Sequence, residues 1–156
     1  MEKTLIILKP DTLQRGLAGR IISRFEDKGF HILALKAMSV SRDLAEKHYA
    51  VHRGKPFYDR LIQYITSSPV VVMVLQANNA IAVARKLMGA TFGSNAEPGT
   101  IRGDFGLSNS FNLIHGSDSP EAAETEIALY FKREDLLDYE RGADCWTYDC
   151  SGGTPE

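Results

Sequence analysis

The sequence predicts an α+β domain in which helices pack on a single antiparallel sheet. Three observations lead to this fold class. Short apolar runs have the length of strands, segments with helical spacing separate them, and 156 residues with 44% hydrophobic side chains suit one well-filled core. The net charge of −2 gives no overall attraction to nucleic acid or to an anionic membrane, so any anion site must be built locally.

The first part of the chain predicts a strand, a helix and a second strand. Thr4–Leu8 is a short apolar run typical of a buried strand. Gly29 is a suitable end for the following helix, whose apolar positions recur at helical spacing as Leu17, Ile21 and Phe25. Phe30–Val40 alternates apolar and polar residues in part and predicts the second strand.

Two further helices are expected before the third strand. Ser41 is a plausible N-cap, because Leu44 and His48 follow it at helical spacing. Another helix is expected to begin near Pro56 and to carry Phe57, Leu61 and Ile65. The valine-rich run Pro69–Leu75 is typical of a strand that is buried on both faces.

The remaining elements complete the order. Asn79 is expected to cap a helix that ends at Gly89, and Ala90–Asn109 is glycine-rich and poorly periodic, which predicts a long ordered loop. A strand then leads to His115. The last helix opens with Ser119 as its cap and Pro120 in its first turn, and runs to about Phe131.

This order fits the ferredoxin-like βαββαβ arrangement, with helices on one face of an antiparallel sheet. We expect residues 1–137 to form the domain. Residues 138–156 form a tail of mixed composition, for which wrapping around a neighbouring subunit and fraying both remain open.

The composition favours a cytoplasmic location. The apolar run near the N-terminus has only four residues, which is too short for a signal peptide, and the run from Val70 to Leu75 is too short to span a bilayer. The two cysteines, Cys145 and Cys150, lie in the tail without further zinc ligands nearby, so two free thiols are expected.

The segment Asn112–Ser119 holds the strongest candidate for chemistry. His115 lies at the end of an apolar run, with the Ser117 hydroxyl, the Asp118 carboxylate and the Asn112 amide within three residues. A neutral imidazole is nucleophilic near neutral pH, and small neighbours leave room for a substrate. A single histidine in such a place is more often a satisfied residue at a strand end, followed by an ordinary turn.

Cationic residues upstream favour the functional interpretation. Neither the P-loop pattern nor the Gly-x-Gly-x-x-Gly pattern occurs, so a phosphate would be held by separate side chains. Lys9 follows a strand, Arg85 lies in a predicted helix ahead of Thr91, and Arg102 has glycine neighbours. Each alone is typical of a solvated surface. Glu126, eleven residues beyond His115, would return near the imidazole if the last helix packs along the preceding strand.

The chain resembles the nucleoside diphosphate kinase family from Thr4 to about Leu137. The matching segments are Lys9-Pro10-Asp11, Gln14-Arg15-Gly16-Leu17, His48-Tyr49, Lys55-Pro56-Phe57, Pro98-Gly99-Thr100-Ile101-Arg102-Gly103-Asp104-Phe105 and Asn112-Leu113-Ile114-His115-Gly116-Ser117-Asp118-Ser119. The last two are highly specific to the family. Two departures stand out: Phe92-Gly93 replaces a short polar residue and a proline, and Thr12 replaces a small residue.

The resemblance implies ping-pong transfer of a terminal phosphate from a nucleoside triphosphate, with ATP as the expected donor, to a nucleoside diphosphate. His115 would carry the phosphate, with Glu126 and Ser117 supporting the imidazole. Phe57 would stack on the base, with Leu61 lining the same cleft. The positions that correspond to the family's other nucleotide contacts are Lys9, Tyr49, Arg85, Thr91, Arg102 and Asn112.

The resemblance also implies a cofactor and an assembly. Mg²⁺ would bridge the nucleotide phosphates, with Asp118 assisting through water. A homo-oligomer, either a hexamer or a tetramer, is expected. A different class of function, a non-catalytic nucleotide-sensing module on the same scaffold, would bind nucleotide without a phosphorylated intermediate. Nucleic-acid binding, a third possibility, has little support from the acidic balance of charge.

Overall fold

The computed structural model describes residues 1–152, and its centre is a four-stranded antiparallel sheet. The strands are β1 (Glu2–Leu8), β2 (His31–Met38), β3 (Val70–Ala77) and β4 (Ile114–Gly116). Their spatial order is β2-β3-β1-β4, so β1 and β3 occupy the centre. Both neighbours of β1 are antiparallel to it, as expected for the predicted fold class.

The described helices lie between and after the strands. They are α1 (Pro10–Gln14), α2 (Ala18–Lys28), α3 (Arg42–His48), α4 (Tyr58–Ile65), α5 (Ala80–Met88), α6 (Ile101–Phe105), α7 (Pro120–Tyr130) and α8 (Asp144–Thr147). Short 3₁₀ turns span Ala50–His52, Gly93–Asn95 and Arg133–Asp135. Within residues 1–152, none of the helices has the length and apolar character needed to cross a bilayer.

Helices cover both faces of the sheet. Leu5 and Ile7 of β1 point to a core that includes buried residues of α3, α4 and α7, whereas Ile6 and Leu8 point to a core shared with α2 and α5. The expectation that the helices lie on one face is therefore wrong. The physical reason is the continuous apolar run from Val70 to Leu75 in β3, which is buried along its whole length and needs cover on both sides.

Three predicted helix boundaries are confirmed. Gly29 ends α2 in the left-handed region, with φ 101°. The Ser41 hydroxyl accepts a hydrogen bond from the Leu44 N–H at 3.2 Å, and the Ser119 hydroxyl accepts one from the Ala122 N–H at 3.1 Å.

The prediction for Asn79 is wrong. Asn79 has φ 52° and makes no side-chain cap on α5. The Ile81 N–H instead donates to Glu2 Oε2 at 2.8 Å, so a carboxylate from the start of β1 serves the first turn of α5. This partner is distant in sequence, and local pattern cannot identify it.

The segment Ala90–Asn109 is more regular than predicted. It contains the helix α6, which begins after Thr100, whose hydroxyl accepts a hydrogen bond from the Gly103 N–H at 3.0 Å. Gly103 packs so tightly that an added Cβ would lie 1.9 Å from the Glu97 carbonyl oxygen. The glycines required by this close packing conceal the helical pattern in the sequence.

The described part of the tail, residues 138–152, packs against the C-terminal end of α2 in the same chain. Arg141 donates to the carbonyl oxygens of Gly29 at 2.8 Å and Phe30 at 3.0 Å. Asp144 Oδ1 lies 2.9 Å from Nε2 of the buried His31. Cys145 and Cys150 are exposed and unpaired. The remainder of the predicted tail, 153–156, lies outside the described residues.

Candidate active site

His115 lies on β4, opposite Ile7 of the central strand β1. One nitrogen of its imidazole is hydrogen-bonded to a partly buried side chain of the site. Its Nε2 is 3.0 Å from Oε1 of Glu126, which α7 carries back along the sheet. The Ser117 hydroxyl donates to Glu126 Oε2 at 2.6 Å and accepts the Leu5 N–H at 3.1 Å. The predicted return of Glu126 to the imidazole is therefore confirmed as geometry.

The charge on Glu126 determines which nitrogen of His115 is free. Burial alone would raise the pKa of Glu126, but the hydrogen bonds from His115 and Ser117 outweigh it and lower the pKa. An ionised carboxylate only accepts hydrogen bonds, so Nε2 of His115 must carry a proton. The lone pair of the neutral imidazole is then on Nδ1. The His115 side chain is 22% exposed, which leaves it accessible to a substrate.

The backbone just before His115 has an unusual conformation that several side chains stabilise. Leu113 has φ 70°, a left-handed value that costs free energy for a residue other than glycine. Its N–H donates to Asp11 Oδ2 at 3.1 Å, and its carbonyl oxygen accepts from the Thr12 hydroxyl at 2.6 Å and from the Lys9 N–H at 2.8 Å. Asp11 and Thr12 thus shape the site, although sequence reasoning gave neither a role.

Lys9 and Asn112 are brought together in a buried pair. The Lys9 ammonium donates to Asn112 Oδ1 at 2.6 Å, and the Asn112 amide donates to the Thr91 carbonyl oxygen at 2.9 Å. Burial, followed by the positive charge of Arg102, lowers the pKa of Lys9 to about 8. The ammonium therefore stays charged at neutral pH. The Asp11 carboxylate partly offsets the lowering of the Lys9 pKa but makes no ion pair with Lys9 among residues 1–152, so the ammonium can still bind an anion.

Arg102 has a structural role that the sequence did not predict. Its guanidinium donates to the carbonyl oxygens of Asn112 at 3.1 Å, Gly89 at 3.0 Å and Ile114 at 2.6 Å. Burial, and then the charge of Arg85, lower the pKa of Arg102 to about 10. Three of the five guanidinium N–H donors are thus used, and two remain for a ligand.

The other predicted residues lie around this centre. Tyr49 is buried, with its ring 6.3 Å from that of His115, while Phe57 is 48% exposed and further out. Leu61 is half-buried, and Arg85, Thr91 and Asp118 are exposed. The His52 ring lies between the buried Tyr49 and the exposed Phe57, with ring centres 6.2 Å from Tyr49 and 5.5 Å from Phe57.

Sequence reasoning missed His48 as a neighbour of His115. Its side chain is 1% exposed, its ring centre is 4.6 Å from that of His115, and its Nε2 is 3.9 Å from Glu126 Oε1. Burial and the charge of His115 lower the pKa of His48 to about 3. The helical spacing of His48 indicated only that it faces the core. Its position beside Tyr49 in a matching segment was the available signal.

Comparison with known proteins agrees with the resemblance seen in the sequence. The nucleoside diphosphate kinase family model matches residues 2–136. A nucleoside diphosphate kinase from Carboxydothermus hydrogenoformans is 56% identical over 149 residues, which cover 96% of this chain and 100% of that protein. One from Desulfitobacterium hafniense is 58% identical over 146 residues, covering 94% and 98% of the two chains.

Solved structures lead to the same family. The halophilic nucleoside diphosphate kinase from Halobacterium salinarum, in complex with CDP, is 48% identical with a TM-score of 0.92 and covers 94% of this chain and 98% of its own. A nucleoside diphosphate kinase family protein from Babesia bovis is 42% identical with a TM-score of 0.91, covering 95% and 100%. The chain therefore belongs to the nucleoside diphosphate kinase family and has that family's phosphotransferase activity.

Proposed function

We propose that His115 carries the transferred phosphate as a phosphohistidine between a nucleoside triphosphate and a nucleoside diphosphate. The observation that carries this proposal is the hydrogen bond from His115 Nε2 to Glu126, since it leaves the lone pair on Nδ1. Nδ1 attacks the terminal phosphorus, an N–P bond forms, and the P–O bond to the leaving nucleoside diphosphate breaks. A terminal phosphate oxygen of a second nucleoside diphosphate then attacks the same phosphorus, and a P–O bond forms. The N–P bond breaks, its electron pair returns to Nδ1, and the neutral imidazole is restored.

Glu126 supports the imidazole throughout this exchange. As the N–P bond forms, positive charge develops on the ring, and the carboxylate hydrogen-bonded to Nε2 stabilises it. Ser117 holds the other carboxylate oxygen, so Glu126 cannot rotate away without losing that bond. The pair thus acts through His115 and does not need to touch the nucleotide.

The cationic group neutralises the phosphates. Lys9 offers a buried ammonium, Arg102 offers its two remaining N–H donors, and Arg85 adds an exposed guanidinium close enough to affect the Arg102 pKa. Asn112 and Thr91 complete this side of the cleft, joined by their own hydrogen bond. Phosphoryl transfer relies on positioning and charge neutralisation, which this arrangement favours.

The base is proposed to stack on Phe57, beside Leu61, with Tyr49 deeper in the cleft. Phe57 is half-exposed, as an aromatic side chain that receives a ligand from solvent should be. Because every base has a π-face, stacking supports exchange among different nucleotides, with ATP as a common donor.

The residues present also fit Mg²⁺ bound mainly through the nucleotide. Asp118 is an exposed carboxylate whose charge acts on nearby His52, at the outer side of the site. A single carboxylate with several waters and substrate phosphates is a usual environment for this ion. When bound, the ion would reduce the negative charge of the phosphates, and Asp118 would hold it through water.

We also propose an assembly, a domain boundary and a location. A homo-oligomer, hexamer or tetramer, would cover exposed apolar side chains such as Leu107 and Trp146. Residues 1–137 would form the catalytic domain, with 138–156 as its tail. The exposed, unpaired Cys145 and Cys150 suit the reducing cytoplasm. Sedimentation of the full chain and of a truncation before Tyr139 would establish the assembly.

Mass spectrometry after mixing the chain with ATP and magnesium tests the proposed intermediate. We expect one added acid-labile phosphate, located on His115 by peptide mapping and removed by any nucleoside diphosphate. His115→Asn should incorporate none, while the matched variant His52→Asn should still reach one phosphate per chain. Full transferase activity in His115→Asn, or nucleotide binding with no phosphorylated intermediate, would overturn the proposal.

A further inference from the structure

Three side chains at the active site form a set of donors suited to a transition metal. One ligand atom from each of His48, His115 and Glu126 lies within 4.8 Å of the others. Two imidazole nitrogens and one carboxylate oxygen are ligands that Zn²⁺ accepts readily, whereas Mg²⁺ prefers oxygen. This set is therefore chemically distinct from the magnesium site proposed above.

His48 provides an independent indication of a ligand. Its side chain is almost fully buried, and neither ring nitrogen has a hydrogen-bond partner among residues 1–152. A buried polar group without a partner is unfavourable, and a bound ligand would relieve that cost. A neutral imidazole has a lone pair to give to a metal ion, and no described hydrogen bond occupies either ring nitrogen of His48.

Two of the three distances between the donor atoms come close to what a metal ion requires, and the third, between the two imidazoles, is within 4.8 Å. Zinc bonds of about 2.0–2.1 Å place two tetrahedral ligand atoms about 3.3 Å apart. The distances from Glu126 Oε1, 3.0 Å to His115 Nε2 and 3.9 Å to His48 Nε2, lie on either side of this value. We propose that His48, His115 and Glu126 bind a borderline divalent transition-metal ion such as Zn²⁺, and that this ion blocks phosphorylation of His115.

Phosphorylation is blocked because the metal ion changes which of the two imidazole nitrogens of His115 carries the proton. A metal ion on His115 Nε2 takes the lone pair of that nitrogen, so the proton of the neutral ring must move to Nδ1. Nδ1 then has no lone pair with which to attack phosphorus. The binding of the metal does not depend on the proposed function, but the inhibition does, since it rests on His115 as the nucleophile.

Metal binding is tested on the untagged, nucleotide-free full chain, because nucleotides themselves chelate metals. Cys145→Ser and Cys150→Ser form the background, so that exposed thiols do not compete. Calorimetry with Zn²⁺ and the visible absorption of Co²⁺ should show one ion per chain in a nitrogen-containing site of low coordination number. His48→Gln should weaken binding at least tenfold, whereas the matched variant His52→Gln should leave the affinity unchanged.

Metal binding is tested with a second variant, and inhibition is tested by a separate measurement of phosphate uptake. Glu126→Gln should also weaken Zn²⁺ binding at least tenfold, which tests the site if His48→Gln does not fold. Undiminished affinity in either folded variant would overturn the metal site.

The Zn²⁺-loaded chain, freed of excess metal, should take up no phosphate from magnesium-ATP until a chelator removes the zinc. Normal phosphorylation of the loaded chain would overturn the inhibition. A metal-free chain that is not phosphorylated would contradict the proposed function instead.

Discussion

Replacing Ser117 by alanine should weaken both the fold and the phosphorylation of His115. Ser117 is fully buried, and its hydroxyl is the partner of two groups, the Leu5 N–H and the Glu126 carboxylate. Removing the hydroxyl leaves the Leu5 N–H without this partner inside the central strand, which costs roughly 1–3 kcal/mol. The lost hydrogen bond to a charged group adds about 1.5 kcal/mol. We therefore expect Ser117→Ala to lower the free energy of unfolding by about 3 kcal/mol.

The chemical effect arises through Glu126. Without the Ser117 hydroxyl, one carboxylate oxygen loses its donor, so the pKa of Glu126 should rise and its orientation toward His115 should loosen. We expect the rate of His115 phosphorylation to fall about tenfold, which corresponds to about 1.4 kcal/mol of transition-state stabilisation.

Ser119→Ala is the matched control, because it makes the same change two residues away. Ser119 caps α7 and has no contact with the Glu126 carboxylate among its described hydrogen bonds. Loss of this cap should cost about 1 kcal/mol without slowing phosphorylation. Urea unfolding at a single chain concentration and quenched-flow mass spectrometry measure the two effects. If Ser117→Ala matches Ser119→Ala in both, the carboxylate does not depend on the hydroxyl and the reasoning fails.

Three further predictions concern other parts of the site. The kcat/KM for phosphoryl transfer should fall as pH rises through about 8, because the Lys9 ammonium loses its proton and no longer attracts phosphate. Thr12→Val should lower the free energy of unfolding by about 1–2 kcal/mol, since it removes a donor to the left-handed Leu113. Gly93→Ala should cost about 1–3 kcal/mol, because the added Cβ would lie 2.4 Å from the Gly106 carbonyl oxygen.

Each of these predictions has its own control. In Lys9→Met the decline of kcat/KM near pH 8 should disappear, and an unchanged profile would assign it to another group. Thr12→Ser keeps the hydroxyl and should retain more stability than Thr12→Val in urea unfolding. Gly19→Ala lies in α2 with open space around the new Cβ, and it should stabilise the chain by about 0.5–1 kcal/mol. A loss in Gly19→Ala equal to that in Gly93→Ala would contradict the close packing.

Local signals in the sequence predicted the elements that depend on local physics. The glycine that ends α2 and the serine caps of α3 and α7 act within one helical turn, so their positions could be read directly. The placement of helices on both faces could not be read in this way, although the apolar run of β3 contained the necessary information. The cap of α5 by Glu2 joins residues 79 apart, which no local pattern predicts.

The candidate site likewise combines features that local sequence predicts with contacts between residues that are distant in sequence. The return of Glu126 to His115 was predictable, because one strand and one helix connect them over 11 residues. The hydrogen bonds that hold Leu113 come from residues about 100 positions earlier, so only the fold brings them together. The burial of His48 against His115 likewise depends on α3 meeting α7 and β4. Helical spacing places a side chain on the inner face but does not identify its neighbours there.

The structure divides the site into a closely held inner part and an open outer part. Leu113 and Ser117 are fully buried around the partly buried His115, and each makes more than one hydrogen bond. Phe57 and Phe92, by contrast, are each about half-exposed. Phosphates are common to all nucleotides, so a precise inner part serves every substrate equally. Bases differ, and an exposed ring that offers stacking without a fixed hydrogen-bond pattern distinguishes little among them. We therefore expect nucleotide tolerance to originate in the exposure of Phe57, while the rate is determined by the buried support of His115.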